Sequence, residues 1–353
     1  MKKNNKSKIL IIGNLGYVGS VLTSHLRKKY PHSYLIGFDI GYFSGCVFSP
    51  LEISDYLLDQ QIYGDVRAIN YDLLNGVDHV IYLAAISNDP MGNEYADATH
   101  QINALAAVEI AKESKLRGGR SFAFASSCSM YGAGGDQVRA EESELQPLTP
   151  YAKSKVEAEN LLKPIASNEF IITCLRFATA CGASPRLRLD LVLNDFVVNA
   201  LVNNRIEILS DGTPWRPLIA VEDMCEALDW ASRRAAENGG NFLAINTGFN
   251  NWNYTVKDLA FLVRDALPGT EVSINPNAAV DKRSYKVSFK KYEQYSGKTQ
   301  SRKFINQVIE EIIRSVSNSS LKEKEIRNSL FIRLVALSRL RENGQLSNKL
   351  TWL

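Results

Sequence analysis

Several protein classes are excluded by what this chain lacks. No apolar run in its 353 residues approaches the roughly 20 needed to cross a bilayer. Met1-Lys2-Lys3-Asn4-Asn5-Lys6 leads into a short strand-like run and not into a signal-peptide core, so a cytoplasmic location is the expectation. Cysteine is sparse and scattered: Cys46, Cys128, Cys174, Cys181 and Cys225 form no Cys-x-x-Cys pair, which argues against a disulfide framework or a zinc knuckle. The four histidines (His25, His32, His79, His100) have no metal-ligand spacing, so no metal is expected. A net charge of +3 carries no footprint for nucleic acid, and the basic N-terminus reads as a solvated end. There is no internal repeat or low-complexity segment.

What is present is a chain with 45% hydrophobic residues, enough for a large core. Continuous apolar runs at 8–12, 34–38, 80–83, 121–125 and 170–175 read as buried strands. Helices are expected between them over 17–29, 96–117 and 151–162. Strand and helix alternating in this way predict an α/β fold built on a doubly wound parallel sheet. Beyond Arg176 the rhythm changes. Helices are expected near 190–202, 221–236 and 255–266, with strands at 206–209 and 242–246. The loop Ser184-Pro185-Arg186-Leu187-Arg188 reads as solvated. The stretch 326–340 places Phe331, Leu334, Val335, Leu337 and Leu340 near one face, with Arg327, Arg333, Arg339 and Arg341 elsewhere. Packing onto the same protein is the expectation for that helix, and a membrane surface is the alternative.

Two motifs carry chemistry. Gly13-Asn14-Leu15-Gly16-Tyr17-Val18-Gly19 follows the first strand and opens the first helix, where backbone N–H groups and the helix dipole can hold a pyrophosphate. Asp39 closes the second strand about 20 residues later, placed for the adenosine ribose hydroxyls and repelling a ribose phosphate, which favours NAD over NADP. The simpler reading of Asp39 is a turn cap. Tyr151 and Lys155 form the second motif. Pro150 suits a first helical turn, and residues i and i+4 face each other, so the ammonium is expected to bring the phenol toward use as a base. A surface helix that happens to carry both residues is the competing explanation for the pair alone.

Taken in order, Gly13/Gly16/Gly19, Asp39, Asp65-Val66, Leu83-Ala84-Ala85, Ser126-Ser127-Cys128-Ser129-Met130-Tyr131-Gly132 and Tyr151/Lys155 resemble the extended short-chain dehydrogenase/reductases, particularly the NAD-dependent nucleotide-sugar epimerase and dehydratase branch. The resemblance covers roughly residues 8 to 290. It implies a Rossmann-type NAD-binding domain over 1–176, with 217–250 returning to it. A smaller, discontinuous nucleotide-sugar-binding domain over 177–216 and 251–320 and a helical extension over 321–353 complete the expected organisation. It implies NAD contacts from Gly13, Leu15, Gly16, Tyr17, Val18, Gly19 and Asp39, adenine contacts from Asp65 and Val66, and a nicotinamide side lined by Leu83, Ala84 and Ala85. Asn103 would support the catalytic helix. Ser127 would bond the reacting sugar oxygen, Lys155 the nicotinamide ribose, and Tyr151 would remove the hydroxyl proton.

Family dehydratases carry an Asp-Glu pair where Cys128 and Ser129 stand, and neither residue replaces a carboxylate in eliminating water. Some epimerising members use a cysteine as acid and base nearby, so Cys128 is a candidate substrate contact, a buried bystander thiol being the alternative. Arg216, in Gly212-Thr213-Pro214-Trp215-Arg216, resembles the arginine that grips the nucleotide diphosphate. Asn194 and Arg283, the latter in Asp281-Lys282-Arg283-Ser284-Tyr285, are further candidates. Thr179 stands where the family often has a sugar-contacting Asn, and the late arginine common in 4-epimerases has no clear match. The resemblance implies a nucleoside-diphosphate sugar as substrate, a sugar carbon, C4 first, oxidised and re-reduced, and a homodimer through the helices near 103–117 and 151–162. A ketoreductase or 4-dehydrogenase with net redox turnover is the alternative. From another class, a non-catalytic NAD(P)-sensing protein shares the fold.

Overall fold

In the computed structural model, which describes residues 6–48, 53–275, 283–319 and 326–353, the expected alternation forms one parallel sheet. The N-terminal residues Met1–Asn5, Asp281 and Lys282 beside Arg283, and the first residues of the C-terminal extension lie outside the described residues. The sheet contains β1 (Lys8–Ile12), β2 (Tyr34–Asp39), β3 (Gln60–Tyr63), β4 (His79–Tyr82) and β5 (Ser121–Ser127), followed by strands Ile171–Phe177 and Phe242–Thr247. Across the sheet the order is Phe242–Thr247, Ile171–Phe177, β5, β4, β1, β2, β3. The winding reverses between β1 and β4. At that reversal the C-terminal strand ends leave a crevice, the usual place for a ligand in an open α/β sheet.

Burial explains why these strands were legible. β1, β4 and Ile171–Phe177 are almost wholly buried, so both faces demand apolar residues and alternation disappears. β3 was not foreseen. Its Gln60-Gln61-Ile62-Tyr63 occupies the sheet edge and is at most half buried, which leaves no apolar run to read. One face of the sheet packs Tyr82, Phe122 and Phe124 against the helices that carry Ile110, Ala158 and Leu162. The other face packs α1 (Tyr17–Lys29) and helix Val221–Arg233 through Leu22, Leu26, Leu228 and Ala231. A second core joins helices Val192–Asn203, Val256–Ala266 and Ile305–Ser317 beside the strands Thr179–Cys181 and Trp215–Ala220.

The expected helix over 96–117 is interrupted by a wider π turn at Gln101–Ala106, a feature frequent at functional positions. The expected helix over 326–340 is a 3-10 turn at Ile326–Asn328 and a helix only from Arg333 to Glu342. Its apolar side faces this protein's own core through Leu334, Leu337 and Leu340, and Leu346 and Leu350 follow beyond the helix; Leu337, Leu346 and Leu350 are fully or almost fully buried, each contributing about 1.5–3 kcal/mol. Arg333, placed off the apolar face by the sequence reading, is buried too: the helix starts there, and Phe331 just before it turns inward onto Phe48 at 5.0 Å. No helix among the described residues is long and apolar enough to cross a membrane.

Candidate active site

The crevice opens into a cavity of about 970 Å³. The glycine loop forms one end. Gly13 adopts φ +92°, and a Cβ there would fall 2.6 Å from the backbone nitrogen of Ala84. A Cβ on Gly19 would lie 2.4 Å from the Gly13 carbonyl, so the loop, α1 and the Leu83-Ala84-Ala85 turn close up only with glycine. Gly16 caps α1 with no side-chain bond and no acidic residue follows in the first turn, which leaves the helix N-terminus able to receive an anion. Gly13, Gly16, Tyr17, Val18 and Gly19 all line the cavity. Leu15 does not: its backbone N–H donates to Asp39 Oδ2 at 3.0 Å, so its part is to fix that carboxylate. Gly41 N–H donates to Asp39 Oδ1 at 2.8 Å. Burial pushes the Asp39 carboxyl up, and these two hydrogen bonds oppose it. Each carboxylate oxygen keeps a second lone pair for a hydroxyl donor. A bare anion-receiving helix end next to a backbone-clamped carboxylate fits a dinucleotide with free ribose hydroxyls.

Asp65, Val66, Leu83, Ala84 and Ala85 line the same end. Asp65 is also clamped by Arg67, at 2.5 Å. Further along, helix Pro150–Leu162 begins under a Thr149 cap that accepts from Ala152 N at 3.2 Å, with Pro150 in the first turn. It presents Tyr151 and Lys155 to the cavity. Asn103, at the π turn, does not line the cavity. Its amide accepts from Ile86 N at 2.9 Å and donates to Ser154 Oγ at 3.1 Å, tying the helix of Tyr151 and Lys155 to the loop after β4. Lys155 is buried, its Nζ donating to Ala125 O at 2.7 Å and standing 5.7 Å from the Tyr151 ring centroid. Burial pushes Lys155 down to about 7.

The phenol itself departs from expectation. Burial pushes Tyr151 up, and the strongest opposition is a hydrogen bond with Ser127, followed by the charge of Arg188. The four-residue spacing to Lys155 therefore does not by itself lower the phenol. Ser127 lines the cavity, and its Oγ accepts from Ser129 N at 3.1 Å.

Arg188 was missed as a site residue. The loop expected to be solvated is buried, with Arg186 at 2% and Arg188 at 9% exposure. Arg186 pairs with Asp55 at 2.8 Å; Arg188 pairs with Asp190 at 2.7 Å and donates to Ser87 Oγ at 3.0 Å. The available signal was the alternation itself, since Leu187 and Leu189 are buried as well.

Two candidates are corrected. Cys128 is 1% exposed, does not line the cavity, and its thiol donates to Arg176 O at 3.0 Å, because the turn after Ser127 points it back into the sheet. Burial pushes that thiol well up, the opposite of an activated cysteine. Asn194 is also buried away from the cavity, accepting from Gly182 N at 3.0 Å and donating to Arg188 O at 3.1 Å. It acts on the site by holding the Arg188 loop. Thr179, Arg216 and Arg283 do line the cavity. Arg216 donates to the carbonyls of Trp215, at 2.9 Å, and Arg283, while Arg283 pairs with Asp89 at 3.0 Å. A second missed pair lies behind the catalytic helix: Glu159 and Arg176 are both buried and meet at 2.7 Å.

The model of the NAD dependent epimerase/dehydratase family matches residues 9–248. The chain is 31% identical over 233 residues to a protein of Bacillus subtilis named uncharacterized UDP-glucose epimerase YtcB, covering 63% of this chain and 71% of that one. It is 27% identical over 282 residues to the dTDP-D-glucose 4,6-dehydratase of Dictyostelium discoideum, covering 72% of this chain and 62% of that one. Its fold is shared with the UDP-glucuronic acid 4-epimerase of Bacillus cereus, solved with UDP-glucuronic acid and NAD, at a TM-score of 0.75 and 20% identity over 88% of this chain and 99% of that chain. Glycine cradle, reversal-point cavity and buried Tyr-Lys pair are thus accounted for together: this chain is an enzyme that belongs to the NAD dependent epimerase/dehydratase family.

Proposed function

We propose that the chain interconverts nucleoside-diphosphate sugars that differ at one carbinol carbon, C4 being the position, by removing and returning the same hydrogen. The observation that carries this reading is the set of groups around Tyr151. Positions 127–129 offer the cavity no carboxylate: Ser127 and Ser129 line it, the Ser129 hydroxyl itself being buried, while Cys128 is turned away. Two carboxylates line this part of the cavity, Asp89 and Asp190, and both are engaged by arginines, Arg283 and Arg188. Arg188 holds the Asp190 carboxyl below the usual range against its burial, and Asp89 is occupied by Arg283, so neither is placed as the acid for expelling water. NAD, when bound, supplies the acceptor for hydride and gives the hydride back.

The chain's own groups handle the proton. Tyr151 takes it from the sugar hydroxyl and returns it, with Ser127 holding the phenol by the hydrogen bond that favours its ionised form. Lys155 donates to Ala125 O and so stands in a fixed place beside the ring. Arg216 and Arg283, which line the same cavity, supply cations of the kind that bind paired phosphate oxygens. Helices Ala107–Leu116 and Pro150–Leu162 leave Leu116 and Leu161 exposed, which supports a homodimer formed through this face.

The purified chain incubated with UDP-glucose, UDP-galactose and their uronic acid and N-acetyl counterparts, with no cofactor added, tests the reading. Epimer formation with no net change in NADH absorbance is expected. Stoichiometric NADH, or loss of water from the sugar, sinks it.

A further inference from the structure

The segment 326–353 meets the cavity at Arg327, Ile332 and Arg333 and, past its helix, packs against residues that line it. Arg327 lines it beside Glu207, at 3.8 Å, next to the second core. Ile332 and Arg333 line its middle. Beyond the helix, Leu350 O accepts from the Tyr42 hydroxyl and, at 3.0 Å, from Arg67, while Trp352 Nε1 donates to Ile40 O at 2.9 Å. Tyr42 and Ile40 themselves line the cavity just past Asp39.

Arg333 is the unusual member. It is 2% exposed, lies 4.6 Å over the Phe43 ring, and donates one Nη2 hydrogen to Arg186 O at 2.9 Å. Among the described residues its Nη1 is buried with no hydrogen-bond partner, and the Cys46 thiol stands beside the guanidinium. Asp55 pairs with Arg186; Asp190 pairs with Arg188 and also accepts from Asn88. Burial and the neighbouring arginines push Arg333 down to about 10, so it remains a cation at neutral pH. A buried charge without its own counter-ion costs several kcal/mol. Nη1 therefore calls for an anion that enters with the ligand, and Phe43, Tyr42, Asp39 and the open N-terminus of α1 share this side of the cavity.

We propose that Arg333 binds the pyrophosphate of the dinucleotide opposite the glycine loop, and that the C-terminal segment is the strap that retains it. The proposal rests on the NAD-dependent family reading and adds to it a cation delivered from outside the glycine-loop motif. A strap that holds NAD between turnovers suits a closed cycle, in which the hydride returns to the sugar it came from.

Full-length wild-type, Arg333→Met and Arg333→Lys chains, freed of nucleotide, are titrated separately with NAD and with UDP by calorimetry. Melting without nucleotide checks the fold. Arg333→Met is expected to weaken NAD by about 10- to 100-fold, as loss of a hydrogen bond between charged groups does, with Arg333→Lys between it and wild type and UDP unchanged. Unchanged NAD affinity in a folded Arg333→Met chain, or a loss confined to UDP, overturns the proposal. If Arg333→Met does not fold, hydrogen exchange on wild type decides: NAD is expected to slow the amides of 333–342, and no slowing overturns it. A wild type that takes up no NAD fails the family reading itself, and this proposal with it. Equal binding by wild type and variant sinks the strap alone.

Discussion

Along β1, β2 and the start of α1 the cavity wall is shaped by backbone, whereas across the second core it is made of side chains, with arginines supplying its cations. Gly13, Gly16 and Gly19 shape the first wall by having no side chain, and Asp39 is held by two backbone N–H groups. Arg188, Arg216 and Arg283 stand in the second, Arg188 fixed by Asp190 two residues on, Arg216 by the Trp215 carbonyl and the distant Arg283 carbonyl, and Arg283 by the distant Asp89. A ligand common to a whole family can be held by chain geometry, which requires particular residues in sequence. A ligand that differs between members is held by side chains whose anchors need only be near in space.

Tyr151 stands between the two walls, and its replacement is the strongest test of whether they are separable. Tyr151→Phe is expected to lower kcat by about 10²–10⁴-fold, the usual scale for a lost proton-transfer group, with NAD and UDP affinities retained. Full turnover by the folded variant rules out the base assignment.

Arg188 tests the arginine wall. Arg188→Met leaves Asp190 buried without its partner, and a loss of about 3–5 kcal/mol in denaturant unfolding is expected. Adding Asp190→Asn is expected to restore part of it. Because the Arg188 charge favours phenolate at Tyr151, the double variant is also expected to shift the acidic, rising limb of the kcat pH profile to higher pH. A profile that stays in place separates Arg188 from the chemistry.

Gly13→Ala tests the backbone wall. A left-handed φ and a contact of 2.6 Å with Ala84 N make the substitution strained, and roughly 100-fold weaker NAD binding is expected as the loop retreats. UDP affinity is expected to hold. If calorimetry shows both ligands lost equally, the two walls are one unit and the contrast between them fails.

The same contrast explains what could be read in the sequence. The central strands and the glycine loop were legible because burial and tight turns dictate residue types locally. Tyr151 and Lys155 were legible as a pair, yet the partners acting most strongly on the phenol are Ser127, 24 positions before it, then Asp89, 62 before, and Arg188, 37 after. Glu159 and Arg176 meet only because the catalytic helix crosses the strand that follows it. Arg333 looked like one arginine among four on a polar side, and its burial depends on where the helix begins. Strand Ala133–Arg139 pairs in parallel with Ser284–Val287 across about 150 residues, with no local pattern to announce it.

His79 gives the smallest effect and locates the framework apart from both walls. It lies in β4, 8% exposed, with Nδ1 bonded to Ser121 Oγ at 2.9 Å. The Ser121 hydroxyl donates to Ser232 O, so its oxygen accepts from the imidazole N–H. Burial, then the Arg233 charge, push His79 down to about 4. The folded state therefore favours the neutral ring, while an unfolded histidine takes up a proton near pH 6.5. Between those values the unfolded chain binds more protons, so stability is complete above about pH 6.5 and falls as pH drops toward 4. At pH 5 the loss from this residue is about 2 kcal/mol. Urea unfolding from pH 7 to 5 is expected to show that decline in wild type and a shallower one in His79→Gln, with NAD affinity at pH 7 the same in both. Parallel declines would place the acid sensitivity elsewhere, and a change in NAD affinity would join this strand's interior to the cofactor wall.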